Sequence, residues 1–120
     1  MMQQRLAGRF KLPGPSEEAV EGGREVQELH VPAVRWLTEH GIAFIHCRPD
    51  KRTMATEGAP DFTIAAREGR VVFVEFKTRE GKLSEEQRTW IFLAARAGTT
   101  VRVLRNFDSF LALMKENGIE

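Results

Sequence analysis

The chain has 120 residues, of which 42% are hydrophobic, and this size allows one folded domain with a single core. Its formal net charge of +1 at pH 7 argues neither for nor against a polyanionic partner. The lone Cys47 excludes an intramolecular disulfide and a cysteine-only zinc site, and it fits a reducing compartment. Because no apolar run approaches about 18 residues and the start lacks a signal-peptide core, we expect a soluble cytoplasmic protein without a membrane partner.

Residues 1–22 have the composition of a flexible arm. Glycine, proline and serine are mixed there with scattered charges, and no apolar periodicity is present. Phe10 and Leu12 could still dock on this subunit or on a neighbour. We therefore expect the folded domain to span residues 23–120.

An amphipathic helix is predicted from Arg24 to His40, with Gly41 as its stop. Pro32 removes one backbone donor, so it predicts a kink or a fresh helix start at that point. The apolar stripe of this helix consists of Val26, Leu29, Ala33, Trp36 and Leu37.

A short apolar strand, Ile42–Cys47, follows and leads into a basic turn. Three cations in that turn suit contacts with nucleic-acid phosphates, although a solvated loop explains them almost as well. They are Arg48, Lys51 and Arg52. The histidines at positions 30, 40 and 46 show no metal-ligand spacing. His30 could reach a site from the first helix, whereas a strand histidine such as His46 is more often a satisfied or exposed residue.

Two apolar runs, Asp61–Ala66 and Val71–Lys77, are joined by a hydrophilic turn and predict an antiparallel hairpin. Alternate strand residues point to opposite faces, so Glu75 and Lys77 share one face at the end of the second strand. The hairpin returns Asp61 to the same end. Two acids and a lysine are therefore expected to converge at one edge of the sheet.

This convergence suits phosphodiester chemistry. Two carboxylates with open neighbouring positions hold a hard cation such as Mg²⁺, which accepts phosphate oxygens. A lysine beside them can orient or deprotonate a bound water and offset the charge that develops on phosphorus. The alternative is a plain salt bridge between Glu75 and Lys77 next to an acidic turn residue.

The segment after the hairpin is a polar turn that adds two further cations, Arg79 and Lys82. Ser84 and Gln87 have capping-box spacing and predict a helix start, and Gly98 ends that helix. Gln87 also continues the buried stripe of the helix. A buried polar side chain needs a specific partner, which is either the helix cap or a group of the site.

A strand, Val101–Leu104, and a final amphipathic helix, Phe107–Asn117, complete the chain. The element order is then helix, three strands, helix, strand, helix. It predicts an α/β sandwich with a mixed sheet, whose early hairpins are antiparallel and whose last strand is reached by a helical crossover.

Pro60-Asp61 followed by Glu75-Phe76-Lys77 resembles the PD-(D/E)XK nuclease signature. The surrounding Gly58-Ala59 and Gly81-Lys82-Leu83-Ser84-x-x-Gln87-x-x-Trp90 are similar to its virus-type replication-repair nuclease branch (VRR-NUC). The resemblance covers roughly residues 25–105. It implies a restriction-endonuclease-like core, αβββαβ with an added C-terminal helix, in agreement with the predicted element order.

The resemblance also implies roles for the motif residues. Asp61 and Glu75 would be ligands of Mg²⁺ or Mn²⁺, with the backbone carbonyl of Phe76 as a third ligand. Lys77 would be the catalytic lysine, and Gln87 would be the supporting helix glutamine.

Related folds commonly bring a glutamate from the first helix to the metal. At about 100° per residue, Glu25 falls at the margin of the apolar stripe and Glu28 lies further round. The register that best fits Leu37 and Gly41 leaves Val26 at the usual acid position. We prefer Glu25 as the fourth ligand, with Glu28 as the alternate, although both could be solvated helix acids.

The implied activity is a metal-dependent, structure-specific DNA endonuclease of DNA repair. Stand-alone VRR-NUC domains resemble Holliday-junction resolvases that act as symmetric dimers, so a homodimer and branched DNA are expected. The alternatives are a monomeric flap- or end-specific nuclease and a non-catalytic nucleic-acid-binding module. The large apolar residues expected at the dimer seam are Phe10, Leu12, Trp36, Phe107, Phe110 and Met114.

Overall fold

The computed structural model describes residues 23–47 and 57–119. Its described residues form one four-stranded sheet in the order β1-β2-β3-β4. The strands are β1 (Phe44–His46), β2 (Phe62–Ala65), β3 (Val71–Phe76) and β4 (Val101–Leu104). Pairing is antiparallel from β1 to β3 and parallel between β3 and β4. The mixed sheet predicted from the element order is therefore confirmed.

Three helices flank the sheet in the described part of the chain. Helix α1 consists of Gly23–Glu25, the π-helical segment Val26–His30 and the α-helical segment Val31–Glu39. Helix α2 (Glu85–Arg96) makes the crossover between β3 and β4, and helix α3 (Phe107–Glu116) follows β4. The arm at 1–22 and the basic turn at 48–52 lie outside the described residues.

Helices pack on both faces of the sheet. Because alternate side chains of β3 point to opposite faces, they contact different helices. Val72, Val74 and Phe76 are buried on the face that packs against α1 and α3, where the Phe76 ring lies 5.8 Å from that of Phe110. On the other face, Phe73 makes an edge-to-face contact with Trp90 of α2, with ring centroids 5.5 Å apart. Glu75 shares this second face, so the signature acid lies on the side of α2.

A π-helical turn interrupts α1 immediately before Pro32. The Val31 N–H donates to the carbonyl of Val26, five residues back. Proline has no N–H to offer the carbonyl of Glu28, and its ring crowds that carbonyl in a regular α-helix. The wider turn relieves this crowding, so the irregularity predicted at Pro32 takes the form of a π-bulge on its N-terminal side.

The prediction that six large apolar residues lie at a dimer seam is wrong for two of them. Phe110 and Met114 are completely buried in the core of the single chain. Trp36 and Phe107 are half-buried against that same core, and Phe10 and Leu12 lie outside the described residues. The four described members of this set instead pack α1 and α3 onto one sheet face of the single chain. The large apolar side chains left exposed in the described residues are Ile45, Val71, Phe92 and Leu93.

Candidate active site

Two carboxylates lie buried at the same end of the β2–β3 hairpin. Phe62 pairs with Val74, so Asp61 and Glu75 are the next residues across the two strands. Asp61 and Glu75 are each 2% exposed. A buried ionised carboxylate requires hydrogen bonds or an opposite charge, so the contacts of both side chains are informative.

The carboxylate of Asp61 is held by the backbone of the neighbouring strand. Its Oδ2 accepts a hydrogen bond from the Phe76 N–H at 2.8 Å. The N–H and C=O of one strand residue point to the same side of the strand, whereas those of the next residue point away. The Phe76 carbonyl therefore faces the Asp61 side, while the Lys77 N–H donates to Leu104 on β4. This is the orientation that a carbonyl ligand beside Asp61 would need.

Glu75 is held from the opposite helix by Gln87. The Gln87 Nε2 donates to the Glu75 Oε2 at 2.7 Å, and the Lys77 Nζ lies 3.8 Å from the same oxygen. The other end of the amide closes the predicted capping box, because the Ser84 N–H donates to Gln87 Oε1 at 2.8 Å. Gln87 thus makes both of the contacts that the sequence left as alternatives. It fixes the start of α2 to the acid of β3.

The π-helical segment brings Glu25 into the same cluster. In a regular α-helix, residues five apart differ by about 140° around the axis. In this wider turn the Glu25 Oε2 lies 2.9 Å from the Nε2 of His30, five residues later, and that Nε2 is 3.4 Å from the Asp61 Oδ2. Glu28 points elsewhere, since its side chain is 57% exposed and pairs with Arg24 at 3.4 Å. The contacts therefore favour Glu25 over Glu28 as the helix acid, while a role as ligand stays a prediction.

His30 lies in the same cluster, although no metal-ligand spacing marked it in the sequence. It is 1% exposed, and its Nδ1 lies 2.8 Å from the Nε2 of His46. Burial by itself lowers the pKa of His30, but hydrogen bonds to Asp61 and Glu25 and the charges of both carboxylates outweigh it and raise that pKa from 6.5 to about 9. A charged imidazole between two acids compensates their burial. The feature of the sequence that could have identified His30 is its position five residues after Glu25 and just before Pro32.

The predicted DNA-contacting cations divide into two groups. Arg79 and Lys82 are exposed in the loop that follows β3. The Arg105 Nη1 holds this loop by donating to the carbonyls of Thr78 at 2.8 Å, Arg79 at 3.3 Å and Gly81 at 2.7 Å. The remaining candidates, Arg48, Lys51 and Arg52, lie outside the described residues, so their role stays a prediction.

The chain is similar to known proteins in both sequence and fold. A family model described as the VRR-NUC domain matches residues 1–108, which is most of the chain. The chain belongs to the VRR-NUC family. A solved structure titled "VRR_NUC domain" superposes with a TM-score of 0.60 at 22% sequence identity, covering 77% of this chain and 95% of that chain. No curated protein matches.

Membership of the VRR-NUC family makes this a nuclease domain, for which DNA is the substrate class and divalent metals are the usual cofactors. The superposition supports the PD-(D/E)XK-like fold. No helix among residues 23–47 and 57–119 is long and apolar enough to cross a membrane.

The donor set of this VRR-NUC domain fits a divalent cation. Asp61, Glu75 and Glu25 supply carboxylate oxygens, and the Phe76 carbonyl faces the Asp61 side of its strand. Hard cations such as Mg²⁺ bind oxygen ligands of these kinds. In addition, one ligand atom each from Glu25, His30 and Asp61 lie within 4.8 Å of one another.

Gly58 joins the Pro-Asp loop to the helix that carries Gln87. It has φ +84°, and a Cβ added there would lie 2.3 Å from the carbonyl oxygen of Glu86. The close approach sets Asp61 and Gln87 in fixed relation, which explains a glycine at this point of the motif.

Gly58→Ala should therefore destabilise the VRR-NUC domain strongly. The left-handed backbone alone costs a non-glycine residue about 1–2 kcal/mol, and the clash must move the loop or α2 as well. Gly69→Ala is the matched control, because Gly69 has φ +74° with nothing within 4 Å of the added Cβ. Thermal denaturation of both variants measures the difference. Equal losses in Tm would contradict the close approach.

Proposed function

We propose that this VRR-NUC domain is a metal-dependent endonuclease of branched DNA, with a four-way junction as its preferred substrate. The observation that carries the proposal is the grouping of Asp61, Glu75 and Lys77 at one end of the β2–β3 hairpin. Both acids are buried, and the lysine ammonium lies 3.8 Å from Glu75. A non-catalytic binding module gains nothing from acids that face phosphate, because they repel it unless a cation intervenes.

The ligands of the cation in this proposal are Asp61, Glu75, the Phe76 carbonyl and Glu25. When bound, Mg²⁺ or Mn²⁺ supplies Lewis-acid polarisation of the scissile phosphate and makes a coordinated water more acidic. The Phe76 N–H holds the Asp61 carboxylate in place at the end of the hairpin. Residues that orient ligands in this way are worth about 10–100-fold in metal affinity.

Lys77 has the task of placing the attacking water. Its ammonium projects from the same face of β3 as Glu75, and the side chain is 16% exposed, so it can meet substrate without leaving the acid. The water attacks phosphorus, one P–O ester bond breaks, and the oxygen that leaves takes up a proton. Lys77 stabilises the charge that accumulates on the phosphoryl oxygens during this step.

The junction substrate in this proposal implies a two-fold symmetric dimer. Resolving a four-way junction requires two opposed cuts, and a two-fold symmetric dimer places two identical sites in the required relation. Arg79 and Lys82 lie in the loop that follows β3 and is held by Arg105. In this proposal they contact backbone phosphates near the cut.

Cleavage of end-labelled four-way junctions, flaps and plain duplex tests the proposal, with Mg²⁺, Mn²⁺ or EDTA in parallel reactions. We expect paired nicks in the junction with either metal and none with EDTA. Light scattering at micromolar concentration should give twice the 13.6 kDa mass of one chain. A 13.6 kDa particle that prefers flaps would contradict the resolvase assignment and leave a monomeric nuclease. Cleavage that persists in EDTA would contradict metal dependence.

A further inference from the structure

We propose that His30 is itself a ligand of the metal centre, through Nε2, and that this nitrogen makes the site select Mn²⁺ over Mg²⁺. The proposal rests on the proposed function, in which Asp61 and Glu25 bind the ion. It adds a donor of a different chemical kind to an otherwise all-oxygen set. Mg²⁺ favours oxygen ligands in a strict octahedron, whereas first-row transition cations accept imidazole nitrogen readily.

The positions of the donor atoms suit a shared ion. The Nε2 of His30 lies 2.9 Å from the Glu25 Oε2 and 3.4 Å from the Asp61 Oδ2. The candidate ligand atoms of the three residues all lie within 4.8 Å of one another. Two ligands on opposite sides of one ion are about 4.2 Å apart when each bond is about 2.1 Å, so only small shifts are needed.

The second nitrogen of His30 has the environment of a metal-bound histidine. Such a histidine almost always donates its other ring N–H to a fixed acceptor, which selects the tautomer whose remaining nitrogen carries the lone pair. The Nδ1 of His30 lies 2.8 Å from the Nε2 of His46. The acceptor ring is itself fixed, because His46 stacks on Phe62 with centroids 4.4 Å apart and planes 16° apart.

The residues packed around His30 restrict the orientation of its ring. The ring packs between Phe62 and Phe76, at centroid distances of 5.6 and 5.5 Å, and the residue is 1% exposed. The ring therefore cannot turn toward solvent, and Nε2 stays beside the Glu25 Oε2 with which it is hydrogen-bonded. The π-helical segment that places Glu25 beside it is a feature found frequently at functional sites. Together these contacts aim Nε2 at the space between the two carboxylates.

Pulsed EPR of the full chain loaded with Mn²⁺, without DNA, tests the ligand directly. We expect a ¹⁴N coupling of the size given by a directly bound imidazole. His30→Gln should remove this coupling and weaken Mn²⁺ binding in calorimetry at least about tenfold, with a smaller loss for Mg²⁺. His46→Gln should keep the coupling, because its nitrogen acts on the ion only through His30.

His40→Gln is the matched control, because His40 is exposed and stacks on Trp36 away from the cluster. It should leave both the coupling and the Mn²⁺ affinity unchanged. Bound Mn²⁺ without ¹⁴N coupling in the parental chain would overturn the proposal, even if His30→Gln failed to fold. In that case metal-dependent cleavage would still stand. A parental chain that binds neither cation would overturn the proposed function together with the ligand.

Discussion

Asp61→Asn should abolish DNA cleavage and leave the chain folded. The amide keeps the shape of the carboxylate and can still accept the Phe76 N–H bond, so the packing at the end of β2 survives. It removes the negative charge that a divalent cation requires. Loss of a residue that only orients a ligand costs about 10–100-fold in affinity, and loss of the ligand itself should cost more. Glu75→Gln should behave alike, because Gln87 can donate to its carbonyl oxygen.

Cleavage of labelled junctions and calorimetric titration with Mn²⁺ measure this prediction. Glu28→Gln is the control, since it removes one carboxylate from α1 at an exposed position paired with Arg24. It should cleave and bind metal like the parental chain, whereas Glu25→Gln should weaken Mn²⁺ binding. If Asp61→Asn and Glu75→Gln both titrate like the parental chain, the two acids are not the ligands.

The hairpin part of this site could be predicted from sequence because its geometry is local. A strand alternates its faces with a period of two, which places Glu75 and Lys77 together without knowledge of the rest of the fold. The short turn then fixes Asp61 opposite Glu75, and the observed pairing of Phe62 with Val74 agrees. Gln87 was recognised for the same reason, since capping-box spacing and helical burial are both short-range patterns.

The part of the site on α1, Glu25 and His30, depends on the π-helical turn, which helical periodicity does not predict. Counting about 100° per residue left Glu25 at the margin of the stripe. The register that fits Leu37 and Gly41 left Val26 at the expected acid position. The π-bulge before Pro32 adds one residue to the turn, so Glu25 takes the position that an unbroken helix would give to Val26. It also aligns Glu25 with His30, whose contacts with Asp61 and His46 join distant parts of the chain. Such contacts follow only from tertiary packing.

The misjudged seam has a different physical cause. An excess of large apolar residues in a small chain can be buried within the chain or between two copies, and composition does not distinguish these outcomes. Here Phe110 and Met114 fill the layer between α3 and the sheet. Phe92 and Leu93 on α2, by contrast, are exposed to solvent, at 62% and 52%. The helix pattern predicted amphipathicity but could not show how fully α2 covers its sheet face.

Lys77→Met should separate catalysis from metal binding. Methionine keeps much of the length and apolar contact of the lysine side chain, so the end of β3 should remain packed. Mn²⁺ should bind at least as well, because the ammonium that now lies 3.8 Å from Glu75 no longer opposes a second cation. Turnover should fall by about 10²–10⁴-fold, the usual contribution of a positioned acid–base group.

Single-turnover cleavage at saturating DNA, with calorimetry in parallel, checks both halves of this prediction. Lys115→Met is the control, because Lys115 is exposed in the last turn of α3. That turn leads to Gly118, whose carbonyl accepts from Arg67 at the opposite end of the hairpin from Asp61. The control should cleave at the parental rate. If Lys77→Met does so too, Lys77 is only a salt-bridge partner of Glu75, and the water must be placed by another group.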